Sequence, residues 1–300
     1  MGIEFTGLQA LWPYRCAQRV MFEFPLLYEQ LLNVKYWSRP LPTHDALSSV
    51  LAQLPNREAI FTRIYDINGW GSSPPSGVGS RLDYTKRLRT QLPRLFSKLR
   101  IQRLFDAPCG DFTWMRTVPL GDVTYIGGDI VQDIIDRLSA SDSSERRTFI
   151  QFDVVKDQFP RADLWLCRDC FIHLSNEDIL KALKNFADSQ IRYVLTTNYN
   201  FGFVNSDIST GNWRPLNLRR PPFSLPRPIF SFFDYSYPQH PRRLALWSRE
   251  QVRDVCVMPV RRNFPARRSL VEREHEKAHG ARLNDRCGVS PRRALGDLHD

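Results

Sequence analysis

The 300-residue sequence contains no apolar run of about 18 residues, the length that a membrane-spanning helix requires. The first residues also lack a basic segment followed by an apolar core, so we expect no secretory signal. The six cysteines are scattered along a chain that is long enough to bury a substantial core without disulfides. We therefore expect a cytoplasmic protein with reduced thiols.

The sequence also has few cysteines at the spacings that are typical of metal sites. Cys167 and Cys170 form a Cys-x-x-Cys pair, which can indicate redox or metal chemistry, but no second pair follows at a zinc spacing. Cys167 lies at the end of an apolar run, where a buried strand is expected. We predict no metal site.

The positive charge is concentrated near the end of the sequence. The net charge is +10, and from Arg242 onward there are 14 basic and 8 acidic residues. The final stretch has little apolar periodicity, which favours a disordered basic tail over a dedicated nucleic-acid arm. We expect an N-terminal, partly helical extension over residues 1–57, a main domain over 58–255, and the tail over 256–300.

Four apolar runs in the main domain each end in a charged residue. The first ends at Asp106, the second at Asp129 and the third at Asp153, with intervals of 23 and 24 residues, and the fourth ends at Arg168-Asp169. Such intervals suit a strand, a crossover helix and the next strand. The pattern therefore predicts the carboxyl edge of an open parallel sheet, where such folds bind their ligands.

The remaining elements complete an α/β architecture. A fifth strand is expected at residues 193–197, and residues 228–233 and 244–247 are expected to form a terminal antiparallel hairpin. Ser175 is typical of a helix N-cap. Residues 24–34 predict a short helix with Leu26, Leu27, Gln30 and Leu31 on one side, and Pro93 predicts a kink or a division in the helix over 83–99.

The strand-end acids allow two other interpretations. A single aspartate after a strand is often only a helix cap, but serial acids, together with Gly127-Gly128 for close backbone approach to a ligand, favour a binding edge. A dinucleotide-dependent dehydrogenase would carry G-x-G-x-x-G after the first strand. This sequence lacks that motif, which disfavours the dehydrogenase interpretation.

The order of these features resembles the class I S-adenosylmethionine-dependent methyltransferases. More specifically, residues 106–112 resemble a branch with a D-x-P-C-G-D-F turn, in which Gly110 is the remaining glycine and Pro108 replaces another. The same branch has R-D-C-x-x-H-L, here residues 168–174, and a segment ending in W-R-P-L-N-L, here 205–218. Upstream similarities are Asn-x-Trp-Gly at 68–71 and Ser-Gly-x-Gly-Ser at 76–80, so the resemblance extends over about residues 58–250.

The resemblance implies a Rossmann-like, doubly wound and mostly parallel seven-stranded sheet that binds S-adenosyl-L-methionine. It implies that the turn after the first strand lies under the methionine part, that Asp129 binds the ribose hydroxyls and that Asp153 faces the adenine. The residues implied to bind the cofactor are Asp106, Pro108, Cys109, Gly110, Asp111, Phe112, Asp129, Ile130, Asp153, Val154 and Arg168.

The acceptor side is expected after the fourth strand. If a helix begins near Asp169, Asp169 and His173 would lie four residues apart on one face, as an orienting carboxylate and a general base. Structural packing of His173 and a cofactor or structural contact for Asp169 remain alternatives. The segment 205–218 is interpreted as a lid over the acceptor. The expected substrate-binding residues are Asn198, Asn205, Asp207, Trp213 and Arg214.

The sequence thus predicts an enzyme that methylates a hydroxyl of a glycan, lipid-linked or small-molecule acceptor. The alternatives are an RNA methyltransferase, or a non-catalytic protein that binds the cofactor or nucleic acid and has kept the fold.

Overall fold

The computed structural model describes residues 23–71, 74–235 and 239–257. All of them belong to the first of two units, residues 1–258 and 259–300, into which contacts divide the chain. The predicted basic tail therefore lies outside the described residues except for its first two residues. No helix among the described segments is long and apolar enough to span a membrane.

One seven-stranded sheet forms the centre of the fold. The strands are β1 (Arg103–Asp106), β2 (Thr124–Asp129), β3 (Arg147–Gln151), β4 (Leu164–Cys167), β5 (Tyr193–Asn198), β6 (Phe230–Phe233) and β7 (Arg243–Ser248). Their spatial order is β3-β2-β1-β4-β5-β7-β6. The first five strands are parallel, whereas β7 is antiparallel to both β5 and β6.

The direction in which successive strands are added to the sheet reverses at β1. Leaving β1, the chain builds β2 and β3 outward on one side and then crosses back to β4 on the other. Such a reversal is the switch point at which open α/β sheets bind ligands, outside the carboxyl ends of the strands. The predicted fold class, a Rossmann-like, doubly wound, mostly parallel sheet with a terminal antiparallel hairpin, is confirmed.

The described segments also contain α-helices. They are α1 (Pro25–Lys35), α2 (Ser48–Leu51), α3 (Arg57–Asp66), α4 (Lys86–Leu99), α5 (Gln132–Asp142), α6 (Asn176–Asp188) and α7 (Arg249–Val257). Ser175 caps α6 as predicted, because its side chain accepts the Asp178 backbone N–H. Buried apolar residues form two clusters, with Trp165 and Trp247 in one and Tyr125 in the other.

The division predicted at Pro93 is wrong. Residues 86–99 form one helix that continues through Pro93, because Leu88, Leu92, Leu95 and Phe96 bury an apolar stripe that offsets the lost backbone hydrogen bond.

The predicted apolar side of α1 is also wrong. Leu26, Leu27 and Leu31 are exposed, and the helix instead buries Leu32 and Glu29. Glu29 can be buried because Arg243 of β7 contacts both of its carboxylate oxygens at 2.8 Å.

Candidate active site

The turn after β1 is held against the end of β2. Cys109 N–H donates to the Gly128 carbonyl at 2.8 Å, and Gly110 N–H donates to Asp129 Oδ2 at 3.0 Å. Gly110 has a φ of 56°, a left-handed conformation that glycine adopts without strain. The sequence places glycine here because the turn must reverse tightly enough to meet Asp129.

Asp129 is a buried carboxylate without a cationic partner in the described structure. Its other oxygen accepts the Val131 N–H at 3.1 Å. Burial raises the pKa of Asp129 to about 6, although the backbone N–H groups of Val131 and Gly110 favour the charged form. Asp129 is therefore mostly ionised at neutral pH, and each oxygen retains capacity for a further hydrogen bond.

Asp106 occupies the corresponding position on β1. Its Oδ2 accepts the Tyr125 hydroxyl at 2.8 Å, and the side chain is otherwise enclosed. Burial raises the pKa of Asp106 to about 7, only partly offset by that hydrogen bond. Asp106 thus supports the base of the turn and titrates near neutrality.

The reason for Gly127-Gly128 differs from the sequence interpretation. A Cβ on Gly127 would lie 2.6 Å from the Phe149 ring, and one on Gly128 would lie 3.0 Å from the Phe105 ring. These glycines are required because aromatic rings pack directly on the backbone of β2. They are therefore explained by core packing rather than by ligand approach.

A segment from before α4 covers the turn. Ser76 Oγ accepts the Asp111 N–H at 2.8 Å and is hydrogen-bonded to the Tyr65 hydroxyl. Asp111 accepts the Ser76 and Thr113 N–H groups in return. The motif at 76–80 therefore lies directly on the predicted cofactor turn. Within the turn, Phe112 is fully buried and Pro108 is partly buried.

Asp153 and Val154 follow β3 at the same edge. Asp153 is 4% exposed and is bound by the Arg57 guanidinium through contacts of 2.8 and 3.1 Å to Oδ2. Ile130 follows Asp129 and is half-buried. The structure therefore brings together the predicted cofactor residues of the first three strands.

A four-charge cluster follows β4. Arg168 contacts Asp234 at 2.8 Å and Asp169 at 3.4 Å, and Arg242 contacts Asp169 at 2.8 Å. Burial opposes the ionisation of Asp169, but Arg242 and Arg168 hold the pKa of this carboxyl below its ordinary value. The Asp169 carboxylate is therefore a stable anion. Sequence reasoning missed Arg242 and Asp234, which lie far along the chain in the terminal hairpin.

The predicted helix at Asp169 is absent. Asp169 instead has a φ of 55°, and only a short 3₁₀ turn at Phe171–His173 precedes α6. His173 Nδ1 lies 2.9 Å from the Asn212 carbonyl oxygen, and Asp169 is bound by Thr197 as well as by the arginines. The orienting partner of His173 is thus the backbone of Asn212 rather than Asp169.

Because a carbonyl oxygen only accepts, His173 Nδ1 carries the proton and Nε2 keeps its lone pair when the ring is neutral. Burial lowers the pKa of His173, which favours that neutral form. The ring contacts the Trp70 ring at a centroid distance of 5.5 Å. Trp70 Nε1 is a buried donor without a partner in the described structure. Trp70 belongs to the Asn-x-Trp-Gly segment at 68–71, but the surrounding sequence predicts only a loop and does not assign Trp70 to the site.

The segment 205–218 is anchored to the fold at many points. Asn205 Nδ2 donates hydrogen bonds to the backbone carbonyls of Asn217, Arg220 and Pro221. Asn198 Oδ1 accepts a hydrogen bond from the Leu218 N–H. Arg214 is fully buried and donates to the Leu174 carbonyl and to Asn176. The polar groups of these three predicted substrate residues therefore hold the segment in place.

Trp213 and Asp207 have a different setting. Trp213 forms a backbone bridge with His44, and the two rings lie 5.0 Å apart. Asp207 is exposed, although one of its oxygens accepts the Asn176 and Ile208 N–H groups. These two residues lie nearer the surface than the buried ones among the predicted substrate residues, and Trp213 lies where residues 44 and 213 form their backbone bridge. Among the described residues, no group of three or more His, Cys, Asp or Glu side chains could hold a metal ion.

No family model and no curated protein matches the sequence. Similar solved structures include the N-methyltransferase NodS from Bradyrhizobium japonicum WM9 with S-adenosyl-L-homocysteine, at 12% identity over 55% of this chain and 87% of that chain, with a TM-score of 0.42. The methyltransferase domain of bacterial CtHen1 is 15% identical over 39% of this chain and 66% of its own, with a TM-score of 0.34. Human N-acetylserotonin methyltransferase with SAM is 17% identical over 48% of this chain and 42% of its own, with a TM-score of 0.32. All three are methyltransferases.

Proposed function

We propose that this protein is an S-adenosylmethionine-dependent methyltransferase that acts on a hydroxyl of a glycan, lipid-linked or small-molecule acceptor. The observation that carries the proposal is the grouping of three buried acids, Asp106, Asp129 and Asp153, at the carboxyl ends of β1, β2 and β3. Two of them flank a glycine turn that is hydrogen-bonded to the second acid. Capping alone does not require acids at three neighbouring strand ends.

The chemistry of these groups fits the cofactor. Asp129 is mostly ionised and can accept both hydroxyls of a ribose, while Asp153 and Val154 are assigned to the adenine end. The turn from Pro108 to Phe112 is assigned to the methionine part. Arg168 is assigned to the carboxylate of the methionine part. Its ion pair with Asp234 fixes the orientation of the guanidinium. When bound, the cofactor supplies an activated methyl group, and the protein supplies positioning and a base.

The acceptor side suits a hydroxyl group. A hydroxyl accepts one hydrogen bond and donates another, and the Trp70 indole N–H and His173 Nε2 offer one donor and one acceptor in neighbouring rings. His173 then removes the hydroxyl proton, since a neutral alcohol is a poor nucleophile. Asp169 contributes a fixed negative charge near the imidazolium that forms.

The lid residues are divided between two roles. We assign Trp213 and Asp207 to acceptor contact, because they lie nearer the surface than the buried ones among the predicted substrate residues. Asn198, Asn205 and Arg214 are assigned to shaping the lid, since their polar groups are bonded within the protein.

Calorimetry with S-adenosylmethionine, with and without RNA, tests the first step. Saturable binding of the cofactor is expected without RNA, and absence of binding by folded protein overturns the proposal. Transfer of a labelled methyl group to components of cell extracts then identifies the acceptor. Label in RNA would favour the RNA methyltransferase, and binding without any transfer would favour the non-catalytic alternative.

A further inference from the structure

Arg57, the first residue of α3, contacts acids on two other elements. Its Nη2 lies 2.8 Å from Asp153 Oδ2, and its Nη1 lies 3.1 Å from Asp178 Oδ1. Asp153 follows β3, whereas Asp178 is in the first turn of α6. One guanidinium therefore joins the end of β3 to the start of α6.

Asp178 carries the connection into the lid. Its second oxygen, Oδ2, accepts the Thr210 hydroxyl at 2.7 Å, and Thr210 Oγ1 in turn accepts the Ser175 N–H at 3.0 Å. Two residues after Thr210, the Asn212 carbonyl accepts His173 Nδ1. Polar contacts thus extend from Asp153 to the part of the lid that orients His173.

The connection is partly enclosed and geometrically specific. The exposed fractions of the side chains are 4% for Asp153, 13% for Asp178 and 24% for Arg57. Burial opposes the charged form of Arg57, but Asp153 and Asp178 hold its pKa above the ordinary value. The planar guanidinium serves both carboxylates through separate nitrogens, an arrangement that a lysine ammonium cannot reproduce.

We propose that Arg57 is a positioning residue that couples occupation of the adenine end at Asp153 to the ordering of the lid over residues 205–218. This coupling rests on the proposed function, because it requires Asp153 to face the cofactor. Any adjustment of Asp153 on binding reorients the Arg57 fork, and Asp178 and Thr210 transmit that change to the lid.

Hydrogen–deuterium exchange of peptides from 205–218, with and without S-adenosylmethionine, measures the coupling. In the full-length protein we expect the cofactor to slow lid exchange about fivefold or more. Thr210→Val, which removes the hydroxyl at similar volume, should abolish this difference and leave the cofactor dissociation constant within about twofold. Thr210→Ser, which keeps the hydroxyl, should restore it.

The arginine variants test the other end of the connection. Arg57→Lys should also abolish the cofactor effect on the lid, whereas Arg63→Lys, an exposed change on the same helix, should keep it. If Arg57→Lys lowers the thermal midpoint and loses protection throughout the domain, the comparison of Thr210→Val with Thr210→Ser tests the coupling instead.

Two outcomes overturn the coupling while the proposed function stands. One is cofactor binding with unchanged lid exchange, and the other is an intact effect in Thr210→Val. Failure of the folded full-length protein to bind S-adenosylmethionine overturns the proposed function, and the coupling falls with it.

Discussion

Asp129 and Asp169 follow similar sequence patterns but have opposite surroundings. Both follow apolar strands of the same sheet, and burial disfavours the charge of each. Asp129 is stabilised by backbone N–H groups, and its pKa is raised to about 6. Asp169 contacts two arginines, and its pKa is lowered.

The comparison shows that the position of an acid and its ionisation are determined by different features of the structure. A strand end determines where an acid lies, whereas its neighbours decide whether it can exchange a proton near neutrality. Asp169, which contacts both Arg168 and Arg242, is a poor proton acceptor, and for that reason we propose His173 as the base. Asp129 has no cationic partner among the described residues and remains available for hydrogen bonds to a neutral ligand.

The largest expected effect tests the acceptor side. His173→Ala should reduce turnover by about 10² to 10⁴ and leave cofactor affinity nearly unchanged, because only the base is removed. Turnover is measured with the acceptor identified by methyl labelling. Asp169→Asn should also lower turnover, and the double variant should cost far less than the product of the two. A loss of cofactor binding with normal saturating turnover would move both residues to the cofactor side.

The second prediction tests the arginines that contact Asp169. Arg242→Met should lower the free energy of unfolding by about 3–5 kcal/mol, because it leaves the buried Asp234 and the half-buried Asp169 with only Arg168 between them. Chemical denaturation measures the change. Arg81→Met, which breaks an exposed pair with Asp83, is the matched control and should leave the stability nearly unchanged, because solvent screens that pair. Equal losses in the two variants would show that burial does not distinguish the pairs.

The third prediction tests the cofactor side. Asp129→Ala should weaken S-adenosylmethionine binding about tenfold or more, since it removes charge-assisted hydrogen bonds of roughly 1.5–3 kcal/mol each. Titration calorimetry compares it with Asp136→Ala on the exposed face of α5. An unchanged dissociation constant in a folded Asp129→Ala protein would remove the ribose assignment.

The fourth prediction concerns pH. Because burial raises the folded-state pKa of Asp106 to about 7, the unfolded chain binds fewer protons at this group between about pH 4 and 7. The Asp106 contribution to stability is therefore full at low pH and is lost as the pH rises through 7. Its slope is at most about 1.4 kcal/mol per pH unit.

Asp106→Asn should flatten this part of the stability profile, measured by denaturation between pH 5 and 8 where Asp169 remains ionised. A variant with the same slope as the parent protein would assign the dependence to another group.

The sheet could be predicted because each strand is a local apolar run and each strand-end acid is adjacent to it in sequence. The acids at residues 106, 129 and 153 were found for that reason. The orienting partner of His173 could not be found, because it is a backbone carbonyl 39 residues away, in a loop without periodicity. Arg57 was placed in the extension because its contact with Asp153 spans 96 residues and leaves no mark in the local pattern.

The bridge between His44 and Trp213 has a consequence for the order of synthesis. His44 and Trp213 form two backbone hydrogen bonds with each other, and Leu41 N–H donates to the Val204 carbonyl. Asn212 Nδ2 also donates to Ser48 Oγ at 2.8 Å. During translation the early segment leaves the ribosome long before these partners exist. It must therefore remain without them until residues 204–213 have emerged. A nascent chain stopped just before that point would carry the first five strands of the sheet but not the segment 205–218, and a fragment that begins at residue 58 would lack the edge on which that segment is bound.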